Sequence, residues 1–149
     1  MRLGPVGAIA AVALSACTPK AADFSSCPAA QPAFEVMDRF MTAFNAKDMA
    51  AVEKTFHFPH MRISVYPLHV LNKPGEQEDV FASLATENWS RSAWLDRKIV
   101  QCDPQKAHML ATFARYHPGG SEYARYDGLY IIENRDGFWG ITARSSFAP

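Results

Sequence analysis

Arg62, Arg115, Arg125 and Arg144 fall in segments whose alternation reads as β-strand. A guanidinium turned inward from a strand loses its water and needs a partner. Each is therefore a surface group, half of a cross-strand ion pair, or the anchor of an anionic ligand group. Glu122, Asp127 and Glu133 are the carboxylates at hand for cross-strand pairing. Arg144, in Arg144-Ser145-Ser146, and Arg115, beside Tyr116, are the two best placed to hold an anion. With Arg62, Tyr130, His60 and His108 they make up the candidate ligand pocket. Tyr130 also reads as core or rim packing, as do Trp89, Trp94, Tyr116 and Trp139.

His60 opens the first strand and His108 lies in a middle one. Two strand histidines facing one pocket supply an acid and a base near neutral pH. The competing reading makes His60 a junction residue and turns His108 to solvent. His57 and His60 do not form a metal pair: three residues apart in an extended chain they point to opposite faces, and Pro59 prevents a helix from joining them. No His, Cys, Asp or Glu cluster has ligand spacing, so no metal is expected. The sequence contains no phosphate-binding glycine loop and no Gly-x-Ser-x-Gly elbow, and no cofactor is implied.

The chain has three cysteines, Cys17, Cys27 and Cys102. Val6 to Leu14 is a short apolar run behind Arg2, followed by small residues, which is the layout of a secretory signal. The run is too short for a transmembrane helix, which needs about 20 apolar residues. Its ending, Leu14-Ser15-Ala16-Cys17, resembles the lipobox of bacterial lipoproteins. That resemblance implies lipidation of Cys17, with cleavage before it and anchoring by several acyl chains. Residue 18 is Thr rather than Asp. By the same resemblance, that favours the periplasmic face of the outer membrane in a Gram-negative cell. The alternative is a cleaved soluble signal with Cys17 incidental. Cys27 and Cys102 remain as an even pair, which an oxidising compartment often closes; two separate thiols are the alternative. Cys102 follows Ile99-Val100-Gln101, and apolar surroundings disfavour the thiolate that a catalytic cysteine needs.

Three parts follow: a lipoprotein signal over 1–16, a flexible tether over 17–31, and one domain over 32–149. The tether is rich in Ala, Ser and Pro, with a reach of about 20 Å. The chain has 15 basic and 15 acidic residues, and loss of Arg2 leaves 14 against 15. A near-neutral chain without a basic stripe gives no case for nucleic acid. Within the domain, Val36, Met37, Phe40, Met41 and Phe44 fall at helical spacing. Asp48 can cap a second helix carrying Met49, Val52 and Phe56, ended by Pro59. Met61 to Tyr66 and Leu68 to Leu71 read as strands, Glu78 to Ala85 as a short helix, and Glu87 to Trp94 as a polar connection. Four strands follow: Leu95 to Cys102, Ala107 to Tyr116, Glu122 to Glu133 and Phe138 to Phe147, with Asp136-Gly137 a strong hairpin signal. Helices first and a meander after argue an α+β fold.

Phe44-Asn45-Ala46-Lys47-Asp48, Phe58-Pro59-His60, Leu129-Tyr130-Ile131-Ile132, Gly137-Phe138-Trp139-Gly140-Ile141 and Arg144-Ser145-Ser146-Phe147-Ala148 occur in this order. The pattern resembles the nuclear transport factor 2-like (SnoaL-like) superfamily from Ala33 to Ala148. The resemblance implies a cone: a curved antiparallel sheet wrapped around N-terminal helices, with an apolar pocket at the wide end. It also implies that homodimers through the sheet are common. The superfamily's ketosteroid isomerases place a tyrosine on the first helix and an acid on a late strand. Here the first helix offers Phe40, Met41 and Phe44, and Ala107 to Tyr116 holds no carboxylate. The first functional reading is an exported, lipid-anchored domain that binds a small apolar molecule or a protein partner. The alternatives are an isomerase- or dehydratase-type enzyme using His60 and His108, and a dimeric interaction module whose cone is filled by its own side chains.

Overall fold

The computed structural model describes residues 23–24, 26–64 and 68–149. The signal segment, Cys17 and residues 65–67 lie outside the described residues. Helix α1 (Ala30–Asn45) buries Ala30, Ala33, Val36, Met37, Phe40 and Ala43. That three-and-four spacing makes one continuous apolar stripe. Pro32 sits in its first turn, where no intrahelical donor is required. Asp48 caps α2 (Met49–Glu53), accepting from the Ala51 backbone N–H at 2.9 Å. The second helix is shorter than its periodicity predicts. It ends at Glu53, and Phe56 already belongs to strand β1 (Phe56–Ile63). The aromatic run Phe56-His57-Phe58 pairs with the sheet instead, as the partnering of Phe56 with Ile141 shows.

The remaining elements are β2 (Leu68–Leu71), α3 (Val80–Thr86), β3 (Arg91–Cys102), β4 (Lys106–Tyr116), β5 (Glu122–Arg135) and β6 (Phe138–Ser146). The segment read as a polar connection thus gives its second half to β3. The six strands form one sheet in the order β2-β1-β6-β5-β4-β3. Only the β1–β6 pair is parallel. The sheet is curved and unclosed, and α1 packs in its concave face: an α+β cone.

Two glycines of the closing hairpin are required, one by its backbone conformation and one by close packing. Asp136 and Gly137 both take positive φ, 53° and 86°. Those values match the tight turn that best fits strand twist. At Gly140, a Cβ would come within 3.0 Å of the His57 ring and 2.9 Å of Phe138.

The end of the segment read as tether is docked. Phe24 and Cys27 pack against the core, and Ala29 is fully buried. Cys27 and Cys102 are joined by a disulfide, with Cα atoms 6.3 Å apart and a sequence separation of 75. A loop of that length contributes up to about 4 kcal/mol in the chain-entropy account. The bond ties the entry of α1 to the end of β3.

Candidate functional site

A β-bulge decides what the cone contains. Between β5 and β6 the pairing runs from Ile131↔Ala143 to Ile132↔Ile141, so β6 carries one extra residue, Thr142. Ile141 is buried in the core. Strict alternation from Ile141 would turn Arg144 outward, and the extra residue reverses the faces beyond it. Arg144 consequently pairs with Tyr130 on β5 and with Arg62 on β1. Arg62, Arg144 and Tyr130 form a row across three neighbouring strands, and all three line one cleft.

The apolar wall of that cleft comes from Phe40, Met41 and Phe44 of α1, Trp94 of β3 and Phe113 of β4. Phe40 is the hub. Its ring lies 5.8 Å from Phe44, 6.3 Å from Trp94 and 6.3 Å from Tyr130. Arg115 reaches the same cleft from β4, and Gln77 closes it from the segment before α3. No Asp or Glu side chain is among the lining residues. The open space inside is about 60 Å³, room for a few waters.

The three arginines differ in how their charge is met. Arg115 is 4 % exposed and pairs with Glu87 at 3.0 Å. The same carboxylate oxygen accepts from the Tyr123 hydroxyl at 3.0 Å. Among the described residues Arg144 has no carboxylate partner. Its Nη2 donates to Gln77 Oε1 at 3.2 Å, and its Cζ lies 5.4 Å from the Phe40 ring centre and 5.3 Å from that of Phe56. Its Nε–H is covered and has no hydrogen-bond partner among the described residues. Burial pushes the Arg144 guanidinium down to about 10, which still leaves it charged at neutral pH. Burial also lowers Arg62, against the pull of nearby Glu78. Arg62 forms no ion pair among the described residues. Burial pushes the Tyr130 phenol up to about 12, so it is a neutral donor.

Neither candidate histidine lines the cleft, which corrects their assignment to the pocket. His60 is fully buried beside it. Its ring stacks on Phe56 with centres 3.8 Å apart, and Nδ1–H donates to the Ile141 carbonyl at 2.9 Å. Nε2 is left as an acceptor without a donor among the described residues. Desolvation, reinforced by Arg144, holds His60 down to about 3. Such a ring stays neutral and is too weak a base for proton transfer near pH 7. His108 lies in a shallow depression with Gln101, Cys102, Asp103 and Lys106. The two histidines therefore do not share a pocket. Arg125 is a surface residue paired with Glu122 at 2.9 Å. His57 is engaged elsewhere, donating to the Glu133 carbonyl at 2.9 Å. Among the described residues no group of three or more His, Cys, Asp or Glu could hold a metal ion.

Gln77 and Glu87, the neutral and charged partners of Arg144 and Arg115, carry no sequence signal. Both lie in polar stretches far from the strands they serve, at separations of 67 and 28 residues. Phe113 and Trp94 are visible only as strand aromatics.

The comparisons with known proteins agree with this architecture. No curated protein matches the sequence. A family described as NTF2-like protein (DUF6841) matches residues 31–147. A protein of unknown function with a cystatin-like fold from Nostoc punctiforme PCC 73102 superposes with a TM-score of 0.61 at 11 % identity, covering 78 % of this chain and 88 % of that one. An NTF2-like protein of unknown function from Shewanella oneidensis MR-1 gives 0.59 at 13 %, covering 79 % and 98 %. A ketosteroid isomerase-like protein from Erwinia carotovora atroseptica SCRI1043 gives 0.57 at 19 %, covering 78 % and 94 %. Identities this low establish shared fold alone. With the family match spanning nearly all of the cone, the chain belongs to the NTF2-like family DUF6841.

Proposed function

We propose that this protein is a lipid-anchored binding domain of the cell envelope that takes a small, largely apolar ligand into its cone. The observation that carries the reading is the cleft at Phe40, Trp94, Phe113 and Tyr130. It has apolar walls with a few convergent polar groups, the usual make-up of a small-molecule site. Binding is favoured over isomerase or dehydratase chemistry because the lining offers no carboxylate side chain and neither histidine. The superfamily resemblance adds the proposal of a homodimer formed through the sheet.

Anchoring rests on Leu14-Ser15-Ala16-Cys17. Acylation there would hold the domain on the membrane. In a Gram-negative cell it would sit on the periplasmic face of the outer membrane. Two measurements test the proposal. Cys17→Ser should move the protein from the detergent phase to the aqueous phase; unchanged partitioning would rule out the lipid anchor. Native mass spectrometry of the wild-type protein should show a co-purifying small molecule that Phe113→Ala loses. A ligand retained by Phe113→Ala would show that the cleft is not its site.

A further inference from the structure

Among the described residues the row Arg62–Arg144–Tyr130 carries two guanidiniums without an ion pair, and only Arg62 has a carboxylate, Glu78, near enough to offset it. Four ion pairs occur among the described residues, and they involve Arg97, Arg115, Arg125 and Arg135. Arg62 and Arg144, the cross-strand partners that line the cleft, are in none of them. Arg144 keeps its place against two aromatic rings and one neutral amide oxygen. The Tyr130 hydroxyl, beside it in the sheet, makes no hydrogen bond among the described residues. Two guanidiniums on adjacent strands repel one another, more strongly where aromatic walls exclude water. An anion placed between them removes that repulsion and meets the charge of Arg144.

We infer that the ligand of this cleft is a small organic carboxylate, its head group held by Arg144 and Arg62 with the Tyr130 hydroxyl as a further donor, and its apolar end against Phe40, Trp94 and Phe113. This rests on the binding role proposed above and names the ligand class. The two oxygens of a carboxylate fit the planar fork of a guanidinium. The aromatic wall calls for an apolar body, which inorganic phosphate lacks. The open space is smaller than the roughly 150 Å³ cavity that takes up benzene, so a body of one ring or a short chain enters only if the side chains of the wall shift or part of it stays in the open mouth of the cleft. Arg115 is excluded from the head-group site because Glu87 already meets its charge.

The test is calorimetric titration of the full-length protein in detergent. The probes are benzoate, phenylacetate and hexanoate, their neutral amides, and inorganic phosphate. At least one carboxylate should bind, and its amide should bind at least about 30-fold more weakly, the loss that follows when a buried charge pair is truncated. Arg144→Gln should weaken that carboxylate by a similar factor and Arg62→Gln by about 5-fold, while Arg125→Gln leaves it unchanged. Removing a charge without an ionic partner does not threaten folding, and the melting temperature of Arg144→Gln checks this directly. Equal binding of acid and amide, or full affinity in Arg144→Gln, overturns the carboxylate assignment and leaves the pocket standing. Phosphate binding as tightly as the carboxylates also overturns it. Silence of every probe overturns the carboxylate and the pocket together.

Discussion

Arg115 and Arg144 both lie on the concave side of the sheet, and they are held in opposite ways. Around Arg115, charge is matched: Glu87 accepts from the guanidinium and from Tyr123, and the Tyr126 ring lies 5.0 Å from Cζ. Among the described residues a donor of Arg144 lacks an acceptor, and in nearby His60 an acceptor lacks a donor. The first arrangement is what a folded protein needs of a buried cation. The second costs stability and is retained where a site serves something other than folding. Of two arginines with similar settings in sequence, the one without an ionic partner is the better marker of a ligand site.

The largest effect should come from breaking the satisfied side. Arg115→Met removes the ionic partner of Glu87, which is 29 % exposed at its side chain. Partial solvation of Glu87 reduces the usual penalty for splitting a buried pair, and a loss of about 2 kcal/mol is expected by chemical denaturation. No loss of stability would show that the two sides are not different in kind.

The unsatisfied side should show itself in acid. His60 is neutral in the fold down to about pH 3, while the unfolded chain takes up a proton below about 6.5. Stability is therefore complete above pH 6.5 and falls as pH drops toward 3, by up to about 1.4 kcal/mol per unit. Carboxylates add little between pH 6.5 and 5, so His60→Phe should flatten the slope in that window. A wild-type protein with flat stability there would contradict the neutral, covered state of His60.

Much of the fold is legible in the sequence, and the reasons are local. The stripe from Val36 to Phe44 and the alternation from Ala107 to Ile141 report periodicities that burial enforces. Asp136-Gly137 reports a turn that few residues can adopt. The site is less legible. Arg144 is a candidate from residue type alone, since alternation from Ile141 turns it to the wrong face and only the bulge at Thr142 brings it inward. Glu87 could not be matched to Arg115 because the pairing crosses from a helix end to a strand. His60 looks like a base in sequence. Its burial under Phe56 and beside Arg144 is a tertiary fact.

The most direct measurement is the stability of Arg144→Met against wild type, by thermal and chemical denaturation without added ligand, beside a titration with benzoate, phenylacetate and hexanoate. A cation kept for a ligand rather than for folding should leave stability unchanged or raise it by up to about 1 kcal/mol when replaced by an apolar chain of similar reach. Carboxylate binding should disappear in the same variant. A loss of stability as large as that of Arg115→Met, with binding intact, would make Arg144 a structural residue and contradict the account.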